Sequence, residues 1–295
     1  MKKDINLVRR SLGEGGFGDL PQKYCAYESA KIVILPVPFD ATSTWIKGAD
    51  KGSAAIIEAS ANMETYDIET DSEVYKKGIF TDRPTKEKKS PEKMVAELKT
   101  RVLKHIKNKK YVVTLGGEHS ISTATIAAHA ESFKNVSVLQ FDAHADLREE
   151  YHNSKFNHAC VMARAREIAP VVQVGIRSAD VTERDLIQKA DNVFLAHDIH
   201  NDNNWFKKCL SKLTKNVYLT IDLDVFDPAI MPSTGTPEPG GLSWYPVLDF
   251  LKLLMKKKNV VGFDVVELCP NPANKAPDFL AAKLIYKLLS YKFEV

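Results

Sequence analysis

The chain has 295 residues, 44% of them hydrophobic, and a formal net charge of +3. That length suits one large core, so a single domain over residues 1–295 is expected, and interspersed charges of both signs leave no patch for a nucleic-acid backbone or an anionic membrane. The basic start around Lys2, Lys3, Arg9 and Arg10 has no apolar stretch behind it, and Cys25, Cys160, Cys209 and Cys269 lie far apart, so an unexported, cytoplasmic protein with reduced thiols is expected.

In chain order, an apolar run from Lys31 (KIVILPVPF) reads as the first strand. A polar loop from Thr81 follows, with Ser90 placed to cap a helix over Pro91–Lys109. Strands are then expected from Tyr111 (YVVTLGG), Val136 (VSVLQFD), Val171 (VVQVGI), Asn192 (NVFLA), Val217 (VYLTIDLD) and Val260 (VVGFDVVE). Apolar residues at helical spacing mark helices over Ile121–Phe133, Thr182–Ala190, Trp205–Leu213, Tyr245–Lys257 and Pro277–Leu289. The Lys256–Lys258 run closes its helix, where cations suit the dipole. The strand runs lack polar alternation, as strands covered on both faces do. The alternation of strand and helix predicts a three-layer α/β/α sandwich around a mostly parallel, doubly wound sheet.

Side chains suited to metals accumulate where three strands end: Glu118 and His119, then Asp142, His144 and Asp146, then Asp222 and Asp224. In open α/β sheets ligands bind at that edge. Buried carboxylates converging without cations carry a prohibitive desolvation and repulsion cost, so metal ions are expected among them. Mixed Asp and His donors without thiolate favour manganese or another divalent ion of intermediate hardness. Along an extended strand Asp142, His144 and Asp146 would spread over roughly 13 Å, whereas two catalytic metals sit only about 3.5–4 Å apart. The chain must therefore curl beyond Asp142, and the small Ala143 and Ala145 permit it. His119 alone reads as a core histidine; the three segments jointly do not.

These segments, Gly116-Gly117-Glu118-His119-Ser120, Phe141-Asp142-Ala143-His144-Ala145-Asp146 and Asp222-Leu223-Asp224-Val225-Phe226-Asp227-Pro228, resemble the metal-binding signatures of the arginase and agmatinase superfamily. Ser233 to Gly241 and Asp264 to Pro270 are similar to two further family blocks, and the resemblance runs from about Pro36 to Leu289. It implies two Mn2+ per subunit, one held by His119, Asp142, Asp146 and Asp222 and the other by Asp142, His144, Asp222 and Asp224. It also places the family's substrate-binding carboxylate on Glu267, its TGTP threonine on Thr236 and its proton-shuttle histidine on His158, with His152 a rival.

A guanidinium, with a pKa above about 12, arrives as a cation whose carbon is a poor electrophile. Two divalent ions sharing one water would furnish hydroxide near neutral pH, and the acidic residues leave the pocket net negative even so. Only Arg148 and Lys155 are available in these segments to answer a phosphate, neither in a phosphate-cradling motif, which argues against a phosphoesterase. Glu267 is expected to grip the guanidinium, Asp146 to relay a proton, and His158, titrating near neutrality, to reload it. The run Asp146-Leu147-Arg148-Glu149-Glu150-Tyr151 before Asn157-His158-Ala159-Cys160 looks like the agmatinase branch, with Glu149 and Glu150 suited to a terminal amine or simply solvated, and Arg148 able to answer a carboxylate. Agmatine hydrolysis to putrescine and urea, a step in polyamine biosynthesis, is the expected activity. Aminopropylagmatine, guanidinobutyrate, arginine and formiminoglutamate are the alternatives. A single-zinc deacetylase of related fold and a silent binding protein are readings from other classes. The family's usual trimers or hexamers imply a homo-oligomer, with residues 1–27 as an N-terminal extension against a neighbour.

Overall fold

The computed structural model describes residues 15–295, so residues 1–14 of the expected N-terminal extension lie outside the described residues. All seven runs read as strands enter one sheet: β1 (Ile32–Val37), β3 (Tyr111–Gly116), β4 (Val136–Phe141), β5 (Val171–Ile176), β6 (Val193–Leu195), β7 (Asn216–Asp222) and β8 (Asn259–Val266). A short edge strand, β2 (Ile79–Thr81), escapes sequence reading because three residues carry no periodicity. The order is β2-β1-β3-β8-β7-β4-β5-β6, and every pairing is parallel.

Both faces are covered, which is why the strands lack polar alternation. On β4, Leu139 and Phe141 point into one core and Val136 and Val138 into another. The first core lies under α1 (Gly52–Ser60), α8 (Trp244–Lys257) and α9 (Ala276–Glu294). The opposite face is covered by α2 (Pro91–Lys107), α3 (Ser122–Ser132) and α4 (Val161–Arg166). Ser90 caps α2 by accepting a hydrogen bond from Lys93 N at 3.3 Å.

Helix α1 is absent from the sequence reading for a physical reason. Its buried face is Gly52, Ser53, Ala55, Ile56 and Ser60, too small and polar to register as an apolar stripe. Two further short helices, α4 and α6 (Ala196–Asn201), are likewise not read, while α5 (Arg184–Gln188) and α7 (Trp205–Lys212) fall within expected segments. The described part of the N-terminal extension packs on its own chain: Phe17 is buried in the first core, and Tyr27 sits edge-on to Phe80. No helix among the described residues is long and apolar enough to cross a membrane.

Candidate metal centre

The four central strands, β3, β8, β7 and β4, lie side by side and parallel, so their carboxyl ends open onto one edge. His119 begins the one-turn helix after β3, Asp142 is the first residue past β4, Asp222 ends β7 with Asp224 two residues on, and Glu267 follows β8. The β3 exit passes so close to the loop after β1 that a Cβ on Gly117 would lie 1.9 Å from the Phe39 carbonyl oxygen. Only glycine fits there.

Beyond Asp142 the chain leaves strand geometry as the ligand spacing demands. Ala143 and Ala145 are buried, and Asp146 adopts a left-handed φ of 53°. Asp142 Oδ1 accepts the backbone N–H of His144 at 2.6 Å and Asp224 Oδ1 that of Ala143 at 3.0 Å, which holds the curl against β7.

Two groups of donor atoms result, His119 with Asp142 and Asp146, and Asp142 with His144 and Asp224. Asp142 belongs to both: its Oδ2 lies 2.9 Å from His119 Nδ1, and its Oδ1 lies 3.6 Å from His144 Nδ1. His119 Nδ1 is also 3.0 Å from Asp146 Oδ2 and 3.5 Å from Asp222 Oδ2, and His144 Nδ1 is 2.9 Å from Asp224 Oδ2.

The hydrogen bonds behind His119 test whether this cluster suits cations. Asp264, fully buried, accepts from Thr220 Oγ1 and Tyr218 Oη at 2.6 Å and from Thr125 Oγ1 at 2.9 Å. Thr220, its proton so committed, takes the Nε2–H of His119 at 2.9 Å. With Nε2–H committed to Thr220, the other ring nitrogen, Nδ1, is buried and faces three carboxylates, and against the cost of burial Asp142 and Asp146 hold the ring's pKa well above its ordinary value. A lone pair aimed at carboxylates is repulsive unless a cation lies between them, so the donor set fits a metal.

The electrostatics agree. Burial, then the charges of Asp224, Asp142 and Glu267, push Asp222 well above the ordinary carboxylate range. Burial and the neighbouring Asp142 raise Asp146 to about 7. Against the cost of burial, the Asp224 and Asp142 carboxylates hold His144 up to about 12. The edge is short of positive charge, and two divalent ions would supply it.

Other expected residues are placed less uniformly. Glu267, at φ 66°, accepts the backbone N–H of His119 at 2.6 Å, and burial followed by the Glu118 charge raises it well above its usual range. Glu118 turns away from the donor groups, binds the loop after β1 through Thr42 and Ser43, and accepts from Ser120 of its own turn. A cavity of about 250 Å³ over the acids is lined by Glu267, Thr236, Arg148 and His158 as well as by His119, His144, Asp146, Asp222 and Asp224. His152 is exposed and lines a separate groove of about 490 Å³. Burial, then positive charge on His144 and His119, lowers His158 to about 4, below the neutral range expected from the sequence.

Glu149 and Glu150 correct the expectation of an amine site. Neither lines the cavity: Glu149, its side chain 81% exposed, pairs with Arg164 at 2.7 Å, and Glu150 faces solvent. Leu147 turns inward into the core and sends the next acids outward. Beyond Glu267, Asp146, Asp222 and Asp224, the acids that line the cavity are Asp180 and Glu183, which sequence reading missed. Asp180 Oδ2 lies 3.3 Å from Arg148, and Glu183 holds Leu147 N and Asp180 N, both at 2.6 Å. Their spacing is a legible capping box, but a cap signature says nothing of the cavity its residues face. Trp45 and Ile46, 75% and 44% exposed, stand at the mouth.

An all-parallel doubly wound sheet with two imidazole-and-carboxylate donor groups at its carboxyl edge defines a metal-dependent hydrolase. The arginase family model matches residues 30–290, and the chain belongs to that family as a ureohydrolase, acting on amidine C–N bonds. It is 38% identical to the N(1)-aminopropylagmatine ureohydrolase of Synechocystis sp. over 276 residues, covering 90% of each chain. It is 33% identical to the agmatinase of Pyrococcus horikoshii, covering 89% of this chain and 92% of the relative. The crystal structure of agmatine ureohydrolase of Thermoplasma volcanium superposes with a TM-score of 0.85 at 29% identity, covering 97% of both chains.

Proposed function

We propose that the protein holds two manganese ions and releases urea from a guanidine with a cationic tail, N1-aminopropylagmatine first and agmatine second. The observation that carries the metal reading is His119, whose Nδ1 faces three carboxylates while its Nε2 is committed to Thr220. His119, Asp142, Asp146 and Asp222 would hold one ion, and Asp142, His144, Asp222 and Asp224 the other. Manganese follows from the thiolate-free donor set. Bound there, the ions supply a water acidic enough to act as nucleophile near neutral pH.

The remaining chemistry belongs to the chain's own side chains. Glu267, fixed by the His119 N–H, takes the guanidinium by charge-assisted hydrogen bonds. Asp146 holds a proton beside the donor groups, and His158 on the cavity wall delivers one to the leaving nitrogen. Thr236 borders the guanidinium end. Asp180 takes an ammonium of the tail in competition with Arg148, while Trp45 and Ile46 cover the methylenes.

The longer substrate ranks first because relatives 38% identical, from Synechocystis and Thermus thermophilus, are named for it. The mouth between Asp180 and Trp45 also gives its second arm an acid and an apolar wall. Agmatine, supported by the agmatinase relatives, is the second reading. Urea release after manganese reconstitution, compared across aminopropylagmatine, agmatine, arginine and guanidinobutyrate, tests both. Preference for agmatine reverses the order; no urea from any of them with two metals bound overturns the proposal. A homo-oligomer, trimer or hexamer, acting in the cytoplasm completes it, and sedimentation velocity checks the assembly.

A further inference from the structure

Thr42 lies in the loop after β1, far in sequence from every donor residue, yet its hydroxyl makes three hydrogen bonds. It contacts Glu118 Oε1 at 2.7 Å, the backbone N–H of His158 at 3.0 Å and His158 Nδ1 at 3.0 Å. A hydroxyl has one proton to give and two lone pairs with which to accept.

Glu118 decides where the proton goes. Its carboxyl group is fully buried and ringed by donors: Thr42 N and Ser43 N on Oε2 at 2.6 and 2.9 Å, Ser43 Oγ on Oε2 at 3.3 Å, and Ser120 Oγ on Oε1 at 2.6 Å. The two backbone groups can only donate. Thr42 completes this shell by donating to Oε1, and both its lone pairs are left for His158. One takes the obligatory backbone N–H, and the other faces Nδ1, which must then carry the ring proton. Nε2, for which no hydrogen bond is seen among the described residues, is left with its lone pair, on a ring that lines the cavity.

We infer that Glu118 and Thr42 are positioning residues that set the tautomer of His158, holding the proton on Nδ1 so that Nε2 is the atom that takes a proton from solvent and gives it to the leaving nitrogen. The inference rests on the reading of His158 as the proton carrier. In water a histidine ring exchanges its proton freely between the two nitrogens; here one directional chain, His158 to Thr42 to Glu118, selects between them. The same chain anchors the loop carrying Trp45 and Ile46, so one buried carboxylate organises two walls of the cavity.

The test is the nitrogen NMR spectrum of ring-labelled His158, recorded on the metal-free protein and on protein loaded with magnesium, alongside steady-state kinetics of the manganese enzyme. In the unaltered protein Nδ1 is expected to be protonated and Nε2 not. In Thr42→Val, which keeps the shape and removes the hydroxyl, the proton redistributes toward Nε2, and kcat falls about tenfold, the worth of one such hydrogen bond, with KM within about twofold. Thr42→Ser restores both. A protonated Nε2 in the unaltered protein, or an unchanged tautomer and kcat in Thr42→Val, overturns the inference. Full turnover in His158→Ala would instead overturn the proton-carrier role, while the spectrum would still report whether Thr42 sets the tautomer.

Discussion

Asp142 has one oxygen toward each donor group. Asp142→Ala is expected to lose both metals and activity together, as measured by elemental analysis and urea release; retention of two manganese ions would remove Asp142 from the site. Behind His119, Thr220→Val removes the acceptor that keeps Nε2 protonated. Manganese affinity should fall about tenfold to a hundredfold in a titration followed by electron paramagnetic resonance. His129 supplies a pH dependence of its own. Its Nδ1–H donates to the Thr125 carbonyl at 2.8 Å, its Nε2 is buried without a partner, and burial lowers its pKa from 6.5 to about 4. The unfolded chain therefore binds a proton below pH 6.5 that the folded chain refuses until about pH 4. Stability from this residue is complete above pH 6.5 and lost as pH falls to about 4, a change of about 3 kcal/mol. Denaturant titrations across that window should show a shallower slope in His129→Asn than in the unaltered protein.

At the scale of elements, polar contacts to backbone carbonyls join the loops beyond the strands to one another. Arg177, just past β5, donates to the carbonyls of Asp224 at 2.6 Å, Glu238 at 2.9 Å, Gly175 at 3.1 Å and Pro239 at 3.1 Å. One guanidinium thus ties the turn carrying Asp224 to the segment after Thr236. Lysine, a compact point charge, cannot span those acceptors. Arg177→Lys should cost about 3 kcal/mol in chemical denaturation and weaken binding at the His144 and Asp224 group first. An unchanged second manganese affinity would confine Arg177 to a stability role. Gly175, at φ 95° in the β5–β6 irregularity, lets the chain pass the Asp142 carbonyl, since a Cβ there would stand 3.0 Å from that oxygen and 2.7 Å from Val225.

For the molecule as a whole, the sheet gathers buried carboxylates at one edge, which destabilises the fold until cations neutralise them. Metal binding is then a stability term as well as a catalytic one. Manganese at about a hundred times its dissociation constant should stabilise the protein by about 2.7 kcal/mol, and chelation should remove it. Thermal denaturation with and without chelator measures the difference, and equal melting temperatures would mean that the edge tolerates its charges without metal.

The seven principal strands, their parallel layering and the donor residues were legible in the sequence, because a strand buried on both faces must be apolar throughout and a metal site must draw its ligands from few residue types. The curl after Asp142 was legible too, from the conflict between strand rise and metal spacing. Helix α1 was not, because its buried face is built of small residues, and Glu149 and Glu150 were misplaced because nothing local tells which way a loop turns after a buried leucine. The roles of Thr42, Asp180 and Arg177 come only from the tertiary structure. Each acts through atoms more than 30 residues away, at Glu118 and His158, Arg148, and the Asp224 carbonyl, and a directional contact across such a separation leaves no periodic trace in the chain. By itself the sequence determined which chemistry is carried and on which strands. Packing decided which oxygen faces which nitrogen, because that depends on distances the chain acquires only when folded.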